Sequence, residues 1–273
     1  MGTTLDSILL GIIQGLTEFL PISSTAHLVI VPHLFNWSAP LLKSLTFDLA
    51  LHLGTLTALV GYFLKDTIQL VTGFLRGLFK LNFEIDKETR LSKLVFLGTV
   101  PAGVLGSLFE KLVETRFRTP AILATSMVVV GAFMWYAESV AKKKKGADSM
   151  SIKDGFIIGI AQALALIPGT SRSGITISSG LLLGYKREDS ARFSFLLSIP
   201  IIAGAAFLKL RTFIHGISAD EVAPLVWGTL FSGIFGFLAI KYFMNYLQRH
   251  TLKVFVWYRL LFAAVIIIFI YII

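Results

Sequence analysis

Apolar residues run along this chain in long blocks. Six of them, at about 44–64, 94–110, 120–140, 193–210, 222–243 and 254–273, hold few charges. Each comes close to the roughly 20 mostly apolar residues that carry a helix across a bilayer, so the pattern predicts six spanning helices. Two further apolar stretches, 6–36 and 154–185, are long enough for two short helices each but are broken midway by proline and small polar residues. Irregular backbone at membrane depth is tolerated only when it is buried in protein or lines a wet cavity. A re-entrant hairpin, in to mid-membrane and back out on the same side, accounts for both stretches. A pair of kinked spanning helices is the alternative. Residues 66–80 alternate as an amphipathic surface helix, with Arg76 and Lys80 near its end.

The two broken stretches resemble each other. The first reads Gln14-Gly-Leu-Thr-Glu18-Phe-Leu-Pro21-Ile-Ser23-Ser24-Thr25-Ala26-His27, preceded by Asp6 and Gly11. The second reads Gln162-Ala-Leu-Ala-Leu-Ile-Pro168-Gly-Thr170-Ser171-Arg172-Ser173-Gly174, preceded by Asp154 and Gly159. Asp, Gly and Gln match at a constant offset of 148 positions, and one deletion aligns Pro21 with Pro168 and Ser24 with Ser171. A weaker match joins Phe47–Leu53 to Phe193–Ile199. Ionisable side chains at membrane depth are costly, which makes Glu18, His27 and Arg172 functional candidates.

Composition agrees with a bilayer setting. The 273 residues are 55% hydrophobic and only 15% charged, against roughly 25% charged in soluble domains. No polar gap is long enough for a separate soluble domain, so one membrane domain spans 1–273, with repeats at about 1–141 and 150–273. The N-terminus lacks the basic region of a cleavable signal peptide. There is no cysteine, which excludes disulfides and thiolate metal sites. The net charge of +9 reads as lysine and arginine in cytoplasmic loops rather than as a nucleic-acid surface, so no nucleic-acid partner is expected. With alternating spans, seventeen basic residues in 65–93, 142–153, 186–192 and 241–253 share one side, and only six fall on the other. The richer side is cytoplasmic by the positive-inside rule. Both termini then lie outside, and the two hairpins enter from opposite faces. That is an inverted repeat, a design that puts its site near the midplane. On this reading the Lys142–Lys145 run is an orientation signal, and Arg259 snorkels to the cytoplasmic end of the last span.

Gln14 and Glu18 lie one turn apart on a single helix face. Together they suit a hard cation such as Mg2+ or Ca2+ that also takes water and substrate phosphate, and Glu18 alone suits a general base. Ser23, Ser24 and Thr25 sit where a new helix starts after Pro21, a natural anion site. They equally suit simple helix caps. His27 follows Ser24 by three residues, a spacing that pairs nucleophile with base, although a packed histidine has the same spacing. Arg172 offers a planar fork for phosphate, flanked by the hydroxyls of Ser171 and Ser173. Asp48 and His52, also one turn apart, read either as interhelical glue or as support for the site.

At these residues the chain resembles the bacterial undecaprenyl-pyrophosphate phosphatases of the bacitracin-resistance type. Gln14 to His27 is similar to their [E/Q]xxxE and SSTxH signature, and Pro168 to Gly174 to their PGxSRSG signature. The resemblance extends over nearly the whole chain. It implies an all-α integral membrane protein of six spanning helices and two re-entrant hairpins in an inverted repeat, in the bacterial inner membrane. It implies hydrolysis of undecaprenyl pyrophosphate to the monophosphate lipid carrier with a divalent cation, Mg2+ or Ca2+, at a site opening outward. By motif position Glu18, Ser24, His27 and Arg172 would be catalytic, with Gln14 and Glu18 at the metal. Ser23, Thr25, Ser171, Ser173 and Gly174 would bind phosphate. Gln14 stands where many members carry glutamate, and Ala26 where many carry glycine. The expected partners are the lipid substrate and the bilayer, with a homodimer left open. Attack by Ser24 and attack by water both fit the motif. A transporter or flippase for polyprenyl phosphate shares the inverted-repeat design and is the competing reading, as is an accessory membrane protein without chemistry.

Overall fold

A computed structural model describes residues 2–80, 87–215 and 217–272. Among these residues there are eleven α-helices and no extended strand: α1 Gly2–Phe19, α2 Ser24–Leu34, α3 Leu45–Tyr62, α4 Leu64–Lys80, α5 Lys87–Leu112, α6 Pro120–Val140, α7 Ile152–Leu164, α8 Arg172–Leu182, α9 Arg187–His215, α10 Val222–Leu247 and α11 Lys253–Ile272. Six of them, α3, α5, α6, α9, α10 and α11, are long and apolar enough to cross a membrane. The protein is a multi-pass membrane protein, and the six apolar blocks correspond to these helices one for one.

The helices outrun the apolar blocks where polar ends continue the hydrogen-bonding. The block expected at about 193–210 sits in a helix that starts at Arg187, with Glu188 and Asp189 in its first turn. Acidic residues there favour the positive end of the helix dipole. The amphipathic helix expected over 66–80 is α4, beginning two residues earlier. It leaves Ile68, Val71 and Leu75 exposed on one face.

Glycines let the broken stretches approach the spanning helices. A Cβ on Gly11 of α1 would lie 2.3 Å from the Gly228 carbonyl oxygen of α10. A Cβ on Gly159 of α7 would lie 2.3 Å from the Gly98 carbonyl oxygen of α5. Without a hydrophobic force between helices in lipid, such close approach carries much of the packing. These are the two glycines that align between the sequence repeats.

Several basic loop residues have definite partners. Buried Glu138, at the end of α6, accepts Lys143 Nζ at 2.7 Å, the Arg187 guanidinium, and the Leu252 backbone N–H at 3.2 Å. This carboxylate fastens α6 to the starts of α9 and α11. The Lys145 ammonium lies 5.3 Å from the centre of the Tyr185 ring. The 142–145 run is therefore more than the bare orientation signal expected from sequence. At the start of α7, Ser151 and Asp154 form a reciprocal cap, and the Tyr185 hydroxyl donates to Asp154 at 2.7 Å.

Candidate active site

Two helix breaks face each other at the centre of the structure. In the first, α1 ends at Phe19, and Pro21, which has no N–H, cannot continue the ladder. In the second, α7 ends at Leu164 and the chain turns through Gly169, whose φ of +90° suits glycine. Each break ends in a serine held in the left-handed region. Ser23 has φ 72° and Ser171 φ 69°, a conformation that costs non-glycine residues about 1–3 kcal/mol. Each serine caps the helix after it. Ser23 Oγ accepts the Ala26 N–H at 3.4 Å, and Ser171 Oγ accepts the Gly174 N–H at 3.2 Å. The first N–H groups of α2 and α8 remain directed toward the breaks, where anions are favoured.

Glu18, on the last turn of α1, joins the two breaks. Its Oε1 accepts from an Arg172 guanidinium N–H at 2.5 Å, and its Oε2 accepts from the Ser24 hydroxyl at 2.6 Å. Gln14 Nε2 donates to Oε2 at 3.1 Å. The Ser173 hydroxyl crosses to the Leu20 carbonyl at 3.1 Å. Glu18, Ser24, Gln14 and Arg172 are thus brought together, with Glu18 and Arg172 154 residues apart in sequence. Their net charge is near zero, because Arg172 is matched by Glu18.

Other expected site residues are placed differently. His27 does not hydrogen-bond Ser24. Its Nδ1 donates to the Ser23 carbonyl at 2.7 Å, which leaves Nε2 to accept from the Tyr258 hydroxyl at 2.7 Å. The ring also stacks on Phe262 at 4.2 Å. Ser23, Ser171 and the Gly174 amide are engaged in caps. Thr25 lines a neighbouring cavity of about 180 Å³. Gly174 lies where a Cβ would meet Met134 Sδ at 3.2 Å, so it also serves close packing.

Two residues outside the expected catalytic and binding set belong to the site. His52 on α3 brings Nε2 to 3.6 Å from Glu18 Oε2. The signal was the one-turn spacing from Asp48, whose carbonyl accepts His52 Nδ1–H at 2.7 Å. Arg259 does not snorkel. It is fully buried and donates to the carbonyls of Pro21 at 3.3 Å, Gly169 at 2.9 Å, Ser126 at 3.2 Å and Met127 at 3.1 Å. One guanidinium therefore ties both breaks to α6, as its five fixed donors allow. A lone arginine inside an apolar block carried the same sequence signal as Arg172.

For a metal, the local donors are mainly oxygens. No group of three or more His, Asp or Glu gathers around one point among the described residues. Gln14 Oε1, however, is buried without a hydrogen-bond partner beside Glu18. An orphaned amide oxygen next to a carboxylate and a hydroxyl fits a hard cation that takes its remaining ligands from water and phosphate.

Residues 7–265 match the protein family described as "Bacitracin resistance protein BacA". Curated relatives are similar along nearly their whole length. A protein of Moorella thermoacetica named undecaprenyl-diphosphatase is 47% identical over 266 residues, covering 97% of each chain. One of the same name from Geobacter metallireducens is 45% identical over 269 residues, covering 98% of each. A third, from Thermodesulfovibrio yellowstonii, is 44% identical over 266 residues, covering 97% of each.

Proposed function

The chain belongs to the bacitracin resistance protein BacA family, and we propose that it hydrolyses undecaprenyl pyrophosphate to undecaprenyl phosphate and inorganic phosphate. That reaction recycles the lipid carrier of cell-wall synthesis and confers resistance to bacitracin. The observation that carries the chemistry is the hydrogen-bonded series from the Ser24 hydroxyl to Glu18 to Arg172, at 2.6 and 2.5 Å. A carrier without chemistry has no need of a hydroxyl donating to a carboxylate at the start of a helix.

In the proposed mechanism Ser24 Oγ attacks the terminal phosphorus while its proton passes to Glu18 Oε2. The bond from phosphorus to the bridging oxygen breaks, Glu18 passes that proton to the bridging oxygen, and undecaprenyl phosphate leaves. Water then attacks the phosphoserine and gives a proton to Glu18, which returns it to Ser24 Oγ as the bond from phosphorus to that oxygen breaks and inorganic phosphate departs. Arg172 uses one N–H on Glu18 and has others for phosphate oxygens. The first backbone N–H groups of α2 and α8 add donors in a low-dielectric site, where they count most. His27 acts here as a strut, holding the Ser23 carbonyl and through it the start of α2. A Mg2+ or Ca2+ ion, held by Glu18 and Gln14 Oε1, would supply neutralisation of phosphate charge.

The fold proposed around this chemistry has six spans and two re-entrant hairpins, α1–α2 and α7–α8, in an inverted repeat within one domain. The left-handed serine caps at Ser23 and Ser171, with the close contacts of Gly11 and Gly159, support the pairing. We place the chain in the bacterial inner membrane with both termini outside and the site open outward, as the distribution of basic residues argues. Met1 and Ile273 themselves lie outside the described residues.

Phosphate release from undecaprenyl pyrophosphate by the purified protein tests the reading. Ser24→Ala should lose at least about 10³-fold in turnover, and Ser23→Ala, which loses a cap and one donor, about 10²-fold. If Ser24→Ala keeps more than about a tenth of wild-type turnover, Ser24 is a binding group and water is the nucleophile.

A further inference from the structure

Beside the Ser24–Glu18–Arg172 series lies a separate space of about 180 Å³, where Thr25, His33, Lys43, Asp48, His52 and Arg118 meet the apolar side chains of Leu28, Val29 and Leu42. Four pieces of chain build it: α2, the short 3-10 turn Pro40–Lys43, the first half of α3, and the turn before α6. It shares a wall with the site. Thr25 adjoins Ser24 in sequence, and His52 Nε2 is 3.6 Å from Glu18 Oε2. At about 30 Å³ per water, the space holds roughly six waters. That suits one phosphate group with some hydration and is far too small for a lipid tail.

Its charges argue for an anion. A diphosphate brings two phosphate groups, yet Arg172, the cation beside Ser24 and Glu18, is already matched by Glu18, and Arg259 is taken up by backbone carbonyls. The cavity supplies further cations. Lys43 has no acidic partner among the described residues. Arg118 donates to Asp48 at 2.8 Å, which holds the guanidinium against the wall and offsets part of its charge. His33 and His52 each tie Nδ1 to a backbone carbonyl, of Val29 at 2.6 Å and of Asp48 at 2.7 Å, leaving Nε2 unengaged by that bond. Asp48 is the sole carboxylate among these lining residues.

We infer that this cavity is a second phosphate subsite, in which Lys43 and Arg118 hold a phosphate group next to the one under attack and Asp48 limits how tightly it is held. The inference rests on the phosphatase reading. The phosphate has two sources: the lipid-linked group of the substrate, or inorganic phosphate on its way out.

Binding of inorganic phosphate to the purified full-length protein, by calorimetry and without turnover, tests it. Lys43→Gln should weaken binding about three- to fivefold, the worth of one partly exposed charge. Arg118→Gln should weaken it about tenfold or more, because it also leaves Asp48 as an unmatched anion. Asp48→Asn should tighten binding about three- to fivefold by freeing Arg118. A gain of affinity cannot come from damaged folding, so this variant protects the test. Competition by a short prenyl monophosphate identifies the source. Exclusion of inorganic phosphate means that the cavity holds the lipid-linked group; simultaneous binding means that it holds the departing phosphate. Wild-type phosphate affinity in all three variants would overturn the subsite, since that is the behaviour of binding at Arg172 alone. A wild-type protein that binds phosphate with these variant effects but never hydrolyses the lipid would sink the phosphatase reading and leave the subsite standing.

Discussion

Removing Arg172 should destabilise the protein and stop turnover, and a second substitution should separate the two effects. The Glu18 and Arg172 side chains are 7% and 15% exposed, so neither charge is well solvated. With charge centres about 4 Å apart and an effective dielectric near 20, their attraction is about 4 kcal/mol. Loss of one partner of a buried pair costs about 3–5 kcal/mol by experience. Arg172→Ala therefore leaves Glu18 with Gln14 and Ser24 as donors but no cation on Oε1. For a chain of this size that loss corresponds to a fall of about 10 °C in the unfolding midpoint. Glu18→Gln in the same background removes the stranded charge and should restore most of the difference. Turnover should behave otherwise. Arg172→Ala should lose about 10²–10³-fold or more, and the double variant should recover none of it, because Glu18, the proposed proton acceptor, is also gone. Arg172→Lys should regain part of the stability but little activity, since an ammonium cannot form the fork. Thermal unfolding in detergent and phosphate release on the same preparations read the two quantities. A midpoint for Arg172→Ala within 2 °C of wild type, or a double variant less stable than either single one, would refute the pairing energetics. Either is well inside the shift expected from about 3 kcal/mol.

Two other expectations concern regions away from the reacting atoms. A cysteine in place of Lys144 should be protected from a membrane-impermeant thiol reagent in intact cells, and one added after Ile273 should react; the reverse pattern would invert the proposed orientation. Tyr185, whose hydroxyl is pushed up to about 12 by burial and by the Asp154 carboxylate it bonds, sits above the ordinary tyrosine value near 10. Its contribution is therefore complete below about pH 10 and lost as pH rises toward 12. Unfolding midpoints of the wild type should drop across that window, by the equivalent of about 2 kcal/mol, more than those of Tyr185→Phe. Parallel curves would contradict the assignment.

The spanning helices were legible because their signal is a bulk one. Twenty apolar residues in a row can be satisfied in few ways other than by crossing the bilayer. The polar ends were not, since nothing in hydropathy requires α9 to begin at Arg187. Nor did it require Glu138 to collect Lys143, Arg187 and the Leu252 N–H. Those contacts join positions distant in sequence, and a lysine run looks the same whether it is solvated or seated on a carboxylate. The helix starts after Pro21 and Pro168 were readable from the proline and the serines. The left-handed turns at Ser23 and Ser171 were not, because only the packed breaks over-determine a conformation those residues resist.

That turn decides which side chain the Ser24 hydroxyl meets. The i, i+3 spacing puts Ser24 and His27 on one side of α2, but Ser24 is the first helical residue, so the break governs where its hydroxyl points. The break swings it back onto Glu18, six residues upstream, while His27 turns toward Tyr258 and Phe262. Charge completes the logic. Glu18 comes from the first copy of the repeat and Arg172 from the second, and each is the other's compensation at a depth where a lone charge is expensive. Arg259, with no carboxylate among its partners, is held instead by carbonyls from both breaks. Either half alone would strand Glu18 or Arg172, so these two charges require both breaks to be assembled before either is stable.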